Sequence, residues 1–235
     1  MTGTAVNQII VIAIMVIAFI PAIVVHEVAH GFAAYKLGDP TAKHAGRLSL
    51  NPIKHVDPFG TVLLPAILIA TSALSGGGGM VFGYAKPVPY NPRYFKNIRT
   101  GEVIVGLAGP ASNFIMALIG AVIAWGAFIA VGSTSLGLLR SNLFLYLWYF
   151  GTYFCEINLA LAFFNLIPLP PLDGSSIIAP LLSDKALQTY YRIQQYAMFI
   201  LILVIIVLPY MLHIDIVGWY LNITAGNIAG LLLPF

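Results

Sequence analysis

Four long apolar windows follow one another along the chain, at about residues 5–34, 103–131, 143–167 and 196–212. Each is long enough to cross a bilayer, because the hydrocarbon core takes about 20 residues of α-helix. The tail 216–235 is apolar but contains polar side chains, so it either spans the membrane or lies at its interface. The pattern predicts an all-α polytopic membrane protein, a bundle of about four to six transmembrane helices.

The stretch 60–83 is uncharged, but it contains Pro65 and four consecutive glycines at 76–79. If this stretch crossed the membrane, basic residues would lie on both sides without bias. If it enters and returns, all of the 11 Lys and Arg except Arg140 share one side, as the positive-inside rule favours. We therefore expect a re-entrant segment, an N-terminus outside the cell, and residues 26–30 close to the cytoplasmic face.

Composition supports a membrane protein. Charged residues are 8% of the chain, hydrophobic residues are 60% and the mean hydropathy is +0.92, whereas about a quarter of the residues in a soluble domain are charged. We expect one integral-membrane domain over residues 1–235. The net charge of +3 comes without a basic cluster interleaved with aromatic residues, so nucleic acid is not an expected partner. The lipid bilayer is an expected partner.

Ionisable residues follow directly on the first apolar window, as His26-Glu27-Val28-Ala29-His30. On a helix, two histidines four residues apart share a face and can bind one zinc ion, while the neighbouring glutamate serves as general base. The alternatives are a chance match and ordinary core histidines. Ionisable groups at membrane depth are functional by default, so the pattern indicates a zinc hydrolase site inside a membrane.

A catalytic zinc site takes a third protein ligand and keeps one open position. Asp173 is the strongest candidate, because three prolines within 168–171 forbid regular helix before it and Gly174 permits a tight turn after it. The alternative is a plain turn capped by Asp-Gly. The charge balance favours Asp173 as a ligand. The charges of one Zn²⁺, one carboxylate ligand and ionised Glu27 sum to zero, and a medium of low dielectric constant penalises net charge.

These residues resemble the site-2 protease family of intramembrane zinc metalloproteases, in particular its short prokaryotic branch without a PDZ domain. Four motifs carry the resemblance, at residues 26–30, 47–58, 108–113 and 165–174. It implies that His26, His30 and Asp173 bind zinc, that Glu27 is the catalytic acid and base, and that catalytic spans lie at about 5–34, 103–131 and 143–180. The implied substrate is a transmembrane protein or peptide.

The function predicted from motif and resemblance together is zinc-dependent endopeptidase activity in or near transmembrane segments. The competing hypothesis is a zinc-binding membrane scaffold or metal transporter that does not cleave peptides. A transporter is expected to show successive transfer sites and related halves, which the sequence does not display.

Polar residues within the second and third windows have two interpretations each. Asn113 and Asn165 either contact the substrate or an oxyanion, or bond a carbonyl freed beside a helix break. Glu156 and Asn158 either form structural hydrogen bonds or relay protons.

The segment after the first window holds further candidates. His55 and Asp57 either support the zinc ligands or form an interfacial turn. Arg47–Leu50 alternates polar and apolar residues, which predicts a short strand whose edge accepts an extended peptide.

Overall fold

The computed structural model describes residues 2–57, 60, 63, 86–132 and 138–234. Apart from residues 60 and 63, the predicted re-entrant segment 60–83 lies outside the described residues. Three long helices dominate the described part: α1 (Thr2–Lys36), α3 (Ile98–Gly132) and α4 (Leu138–Asn165). They pack on one another, α3 mainly against α4 and α1 against both.

Shorter elements complete the described chain. Helix α2 (Thr41–His44) and the 3₁₀ turns Pro52–His55 and Pro92–Tyr94 lie between α1 and α3. After α4 come α5 (Gly174–Ile178), a 3₁₀ turn (Ala179–Leu181) and α6 (Asp184–Gln194). The remaining elements are α7 (Ala197–Ile202), a π-helical segment (Leu203–Val207), α8 (Leu208–Leu212), α9 (Ile216–Leu221), a second π-helical segment (Asn222–Gly226) and α10 (Asn227–Leu232).

Three of the described helices are long and apolar enough to cross a membrane, over Ile9–Lys36, Ile98–Val131 and Asn142–Asn165. A fourth span results if Lys185–Gln194 and Ala197–Leu212, bent by 67°, are taken together. Ile216–Leu232 is apolar but shorter. The all-helical architecture agrees with the prediction, and the described residues supply three or four of the predicted four to six spans.

Small residues build the core between the long helices. Ala117, Ala121 and Ala124 of α3 are buried together with Cys155 and Leu159 of α4. A Cβ atom added at Gly120 would lie 2.6 Å from the Cys155 nitrogen, and one at Gly151 would lie 2.8 Å from the Gly120 carbonyl oxygen. The two backbones are therefore in contact. Membrane helices often associate in this way, because small residues let their backbones approach closely and hydrophobic attraction between helices is absent in lipid.

Large aliphatic side chains lie on the outside of the same helices. Val122 and Ile129 of α3 are 72% and 67% exposed, and Ile9 of α1 is 67% exposed. Small residues inside and large apolar residues outside is the distribution expected when hydrocarbon surrounds the bundle.

A polar junction at one end of the bundle joins the end of α1 to the chain that precedes α3. The buried Asp39 carboxylate accepts hydrogen bonds from the amides of Thr41 (2.9 Å) and Asn91 (2.6 Å) and from the Thr41 hydroxyl. Burial raises the pKa of Asp39, but these hydrogen bonds outweigh burial and hold that pKa below its usual value. Arg47 donates to the Lys86 carbonyl at 2.5 Å.

The sequence predicted a short strand at Arg47–Leu50, but the structure has no strand there. Two backbone groups of this segment bond residues close in sequence. The Arg47 amide donates to the Ala42 carbonyl at 2.9 Å, and the Ser49 carbonyl accepts from the His55 ring at 2.7 Å. An alternating pattern forms a strand only where a neighbouring edge supplies the hydrogen bonds.

Replacing Gly120 by Val should separate α3 from α4, because the new side chain meets α4 backbone that cannot move aside. We expect a loss of about 1–3 kcal/mol in the free energy of unfolding, measured by denaturant titration in mixed micelles. Gly126→Val on the same helix is the matched control, since a Cβ there meets nothing within 4 Å. Equal stability of the two variants would contradict the proposed backbone contact.

Candidate metal centre

Helix α1 presents His26 and His30 one above the other, since residues four apart share a helix face. Both side chains are buried, at 7% and 8% exposure. Their rings meet edge to face with centroids 4.7 Å apart, and their Nε2 atoms are 3.1 Å apart. The two imidazoles therefore point at one place between α1 and α3.

Asp173 reaches the same place from the chain that follows α4. Its Oδ2 lies 3.0 Å from His26 Nε2 and 3.2 Å from His30 Nε2. Gly174 makes this approach possible, because a Cβ at that position would clash with the carbonyl oxygens of Leu166 and Ile167. The turn after α4 folds back on itself and delivers the carboxylate to the histidines.

Hydrogen bonds at the Nδ1 atom of each ring indicate which ring nitrogens carry protons and which offer lone pairs. His26 Nδ1 lies 2.5 Å from Asn113 Oδ1, and His30 Nδ1 lies 2.7 Å from the Val105 carbonyl oxygen. Both partners are acceptors, so each Nδ1 carries a proton, and each imidazole in its neutral form presents a lone pair at Nε2. Asp173 Oδ2 is buried without a hydrogen-bond donor. When both imidazoles are neutral, three lone-pair atoms thus meet at one place.

A cation fits this arrangement. Ligand atoms at about 2.0–2.1 Å from a tetrahedral zinc ion lie about 3.3 Å from one another, close to the 3.0, 3.1 and 3.2 Å separations of the three atoms. His26, His30 and Asp173 form the one group of potential ligands for a metal ion found among the described residues. Two imidazoles and a carboxylate are a donor set of catalytic zinc sites.

Gly109 allows α3 to lie directly against both imidazoles. A Cβ atom at this position would clash with the His30 ring and come within 2.6 Å of His26 Cε1. Val105, Gly109 and Asn113 follow one another at four-residue intervals and therefore share one face of α3. This face provides the Val105 carbonyl for His30, the space left by the missing side chain of Gly109, and the Asn113 amide oxygen for His26.

The hydrogen bond of Glu27 differs from those of His26 and His30. Its Oε2 accepts from the Val88 amide at 2.9 Å. Val88 is buried in the segment 86–90, which forms neither helix nor strand. This segment passes close to α1 at Gly31, where an added Cβ would lie 2.7 Å from a Val88 methyl carbon. The second carboxylate oxygen of Glu27 receives no hydrogen bond from any described residue.

The structure places Asn113 and Asn158 together in the interior, both at 0% exposure. Asn113 Nδ2 donates to the Ala22 carbonyl at 3.2 Å and to Asn158 Oδ1 at 2.7 Å. Asn158 Nδ2 donates to the Phe154 carbonyl at 2.8 Å. The Asn113 amide has no polar hydrogen left for a substrate, so this geometry favours a structural hydrogen bond over an oxyanion contact.

Other predicted residues lie apart from the ligand group. Asn165, half-buried at the end of α4, donates to the Leu161 carbonyl at 3.0 Å. The buried His55 ring bonds Ser49, and Asp57 Oδ1 accepts from the Gly60 amide at 2.7 Å. None of these hydrogen bonds reaches His26, His30 or Asp173. Glu156 lines a cavity of about 280 Å³ between α4 and the C-terminal helices.

Comparison with known proteins identifies the family. The model for peptidase family M50 matches residues 14–208, which include all three converging residues and Glu27. The chain belongs to peptidase family M50. This confirms the resemblance to the site-2 proteases and, with the ligand group in the structure, zinc as the cofactor.

Relatives of this M50 protein carry names of the same kind. It is 42% identical to "Putative zinc metalloprotease YwhC" of Bacillus subtilis over 201 residues, 83% of this chain and 80% of the relative. It is 27% identical to "Putative zinc metalloprotease Rip2" of Mycolicibacterium smegmatis over 215 residues, 89% and 73% of the two chains. The Rip2 protein of Mycobacterium tuberculosis H37Rv is 25% identical over 211 residues, 89% and 71%. No solved structure matches the chain.

Sequence reasoning missed three contributors to the M50 site. The Val105 carbonyl and the Val88 amide are backbone groups, which no residue pattern reveals. Gly109 stands in a Gly-Pro pair, which indicates a loosened helix and close packing against a neighbour but does not identify the imidazoles as that neighbour. Its position four residues before Asn113 was the available signal.

Gly109→Ala should weaken zinc binding about tenfold or more, the loss expected when support around a ligand is disturbed, because the methyl group displaces both imidazoles. The dissociation constant can be measured by competition with a chromophoric chelator in detergent. Gly126→Ala on the same helix is the control and should bind zinc like the wild type. Unchanged affinity in Gly109→Ala would show that α3 does not fix the rings.

Proposed function

We propose that this M50 protein is a zinc-dependent intramembrane endopeptidase that hydrolyses peptide bonds in or near transmembrane segments of other membrane proteins. The convergence of His26 Nε2, His30 Nε2 and Asp173 Oδ2 carries the proposal. The family and the names of its relatives support metalloprotease activity. The apolar helices that hold the ligands support a site at membrane depth and a substrate that is itself embedded there.

Bound zinc supplies Lewis-acid activation of water and of the scissile carbonyl group. The protein's own groups do the rest. His26, His30 and Asp173 would hold the ion, since three protein ligands are the usual number in catalytic zinc sites. Glu27 takes the proton from the attacking water and returns it to the leaving amine. The Val88 amide fixes one oxygen of Glu27, which leaves the other oxygen for this proton.

The shape of the substrate follows from the same geometry. A peptide bond within a helix is shielded by its neighbours, so a transmembrane substrate must unwind before it reaches Glu27. We propose that the substrate binds as an extended peptide and that Asn165, half-buried beside the turn that carries Asp173, is available to contact it. The alternative of a metal transporter has less support, because transport needs successive sites and the described residues contain one ligand group.

Glu27→Gln should retain zinc and lose about 10²–10⁴-fold in cleavage rate, the usual worth of a general base. Asp173→Ala should lose zinc and activity together. Purified wild type and both variants would be assayed for zinc content and for cleavage of a transmembrane peptide in proteoliposomes. Cleavage by Glu27→Gln at the wild-type rate would refute the role of Glu27, and full zinc content in Asp173→Ala would refute the ligand.

We also propose that the N-terminus lies outside and the zinc site faces the cytoplasm, on the basis of the 11 Lys and Arg, of which Arg140 alone falls on the outer side. In a Cys155→Ala background, cysteines placed at Lys54 and at Arg140 should react with a membrane-impermeant maleimide from opposite sides. The Arg140 position should label in intact cells, and the Lys54 position only in inverted vesicles. Labelling of both positions from the same side, or labelling with the two sides exchanged, would contradict the proposed topology.

A further inference from the structure

We propose that Asn158 of α4 is a positioning residue for the metal centre: through Asn113 it sets which nitrogen of His26 carries the proton. The proposal rests on the proposed role of His26 as a zinc ligand. Neutral histidine binds a metal only through the nitrogen that lacks the proton. A group that selects the tautomer therefore controls metal binding without contacting the metal.

Two backbone carbonyl groups fix the direction of the amide chain. A carbonyl oxygen accepts and never donates, so the Phe154 carbonyl must face the NH₂ group of Asn158 (2.8 Å). The Oδ1 of Asn158 is then the atom that faces Asn113. The Ala22 carbonyl likewise faces the NH₂ group of Asn113 (3.2 Å). Asn113 Oδ1 is left to face His26 Nδ1 (2.5 Å).

Both hydrogens of the Asn113 amide and the Nδ1 hydrogen of His26 have acceptors. The two hydrogens of Asn113 Nδ2 go to Ala22 and to Asn158 Oδ1 (2.7 Å), and the Nδ1 hydrogen of His26 goes to Asn113 Oδ1. Both asparagines are fully buried, so water cannot replace a missing partner. A buried donor or acceptor without a partner is costly, and this cost keeps the Asn113 amide from turning over.

Removing the Asn158 oxygen changes this balance. Asn113 Nδ2 would then keep one acceptor, the Ala22 carbonyl at 3.2 Å, so inversion of the amide would forfeit one hydrogen bond instead of two. An inverted amide would present its NH₂ group to His26, which favours a lone pair on Nδ1 and the proton on Nε2. In that tautomer the Nε2 atom facing Asp173 (3.0 Å) cannot bind zinc.

His30 does not share this dependence. Its Nδ1 donates to the Val105 backbone carbonyl at 2.7 Å, a group that cannot turn over within a helix. The two zinc ligands are thus oriented differently, His30 by α3 backbone and His26 by side chains that reach back to α4. Asn158 should therefore affect His26 alone.

The test compares the wild type with Asn158→Leu, Asn113→Leu and the double variant, all as full-length protein in detergent. Leu has nearly the shape of Asn but no hydrogen-bonding atoms. Asn227→Leu is the matched control, because Asn227 also donates to the carbonyl four residues before it, at 3.0 Å, but lies on α10. Zinc affinity is measured by chelator competition. Imidazole ¹⁵N shifts of the zinc-free protein, assigned with His26→Gln, report the tautomer.

We expect Asn113→Leu to lower zinc affinity about 10–100-fold and Asn158→Leu to lower it about fivefold, the net worth of one hydrogen bond. The double variant should equal Asn113→Leu, because Asn158 acts through Asn113. The ¹⁵N spectrum of Asn158→Leu should show a larger fraction of protonated Nε2 at His26 than the wild type and an unchanged His30, and Asn227→Leu should match the wild type in both measurements.

Losses that multiply in the double variant would overturn the proposal, as would a His26 tautomer in Asn158→Leu that matches the wild type. The same holds if Asn158→Leu and Asn227→Leu bind zinc equally well. In these cases the wild type still binds zinc, so the proposed function stands. A wild type that binds no zinc would instead refute the proposed function and this inference together.

Discussion

Three atoms that all offer lone pairs lie within 3.2 Å of one another in the interior of the helix bundle. Such a group repels itself unless a cation lies between its members, and the surrounding bundle offers little solvent to screen the repulsion. The Nδ1 proton of each neutral imidazole is held on the opposite side of its ring, by Asn113 at His26 and by the Val105 carbonyl at His30. The fold therefore presents a geometry that a metal ion completes.

Close helix packing makes that geometry available. Gly120 and Gly151 bring α3 and α4 into backbone contact, and Gly109 brings α3 against the imidazoles of α1. A bundle of larger residues would place these helices a side chain further apart, beyond the reach of one ligand group. The small residues that stabilise the membrane bundle are thus also what allow three separate segments to share one ion.

The sequence predicted the parts of the site that depend on local spacing. His26 and His30 share a face because they are four residues apart on a helix, and Asp173 follows a break that its prolines enforce. Asn158 was seen as a polar residue in a span but not as a partner of Asn113. Contacts between helices depend on how each helix is rotated about its axis, which the pattern along one chain does not define.

Two other differences between the predicted and the observed structure also depend on contacts between separate segments of the chain. Arg47–Leu50 has a strand pattern but bonds its own neighbours, because strand formation depends on a partner edge. The Val88 amide holds Glu27 through backbone, and every residue except proline has such an amide. The absence of regular helix at 86–90 was predictable from Pro87 and Pro89, whereas its position beside Glu27 was not.

X-ray absorption at the zinc edge tests most directly whether these three side chains hold the metal. In the purified protein we predict a first shell of nitrogen and oxygen atoms at about 2.0–2.1 Å, with the multiple-scattering signal of two imidazoles. Conversion of His30 to Gln should remove one imidazole from that signal. A sulfur shell at about 2.3 Å, or an imidazole signal that His30→Gln leaves unchanged, would show that the ion binds elsewhere.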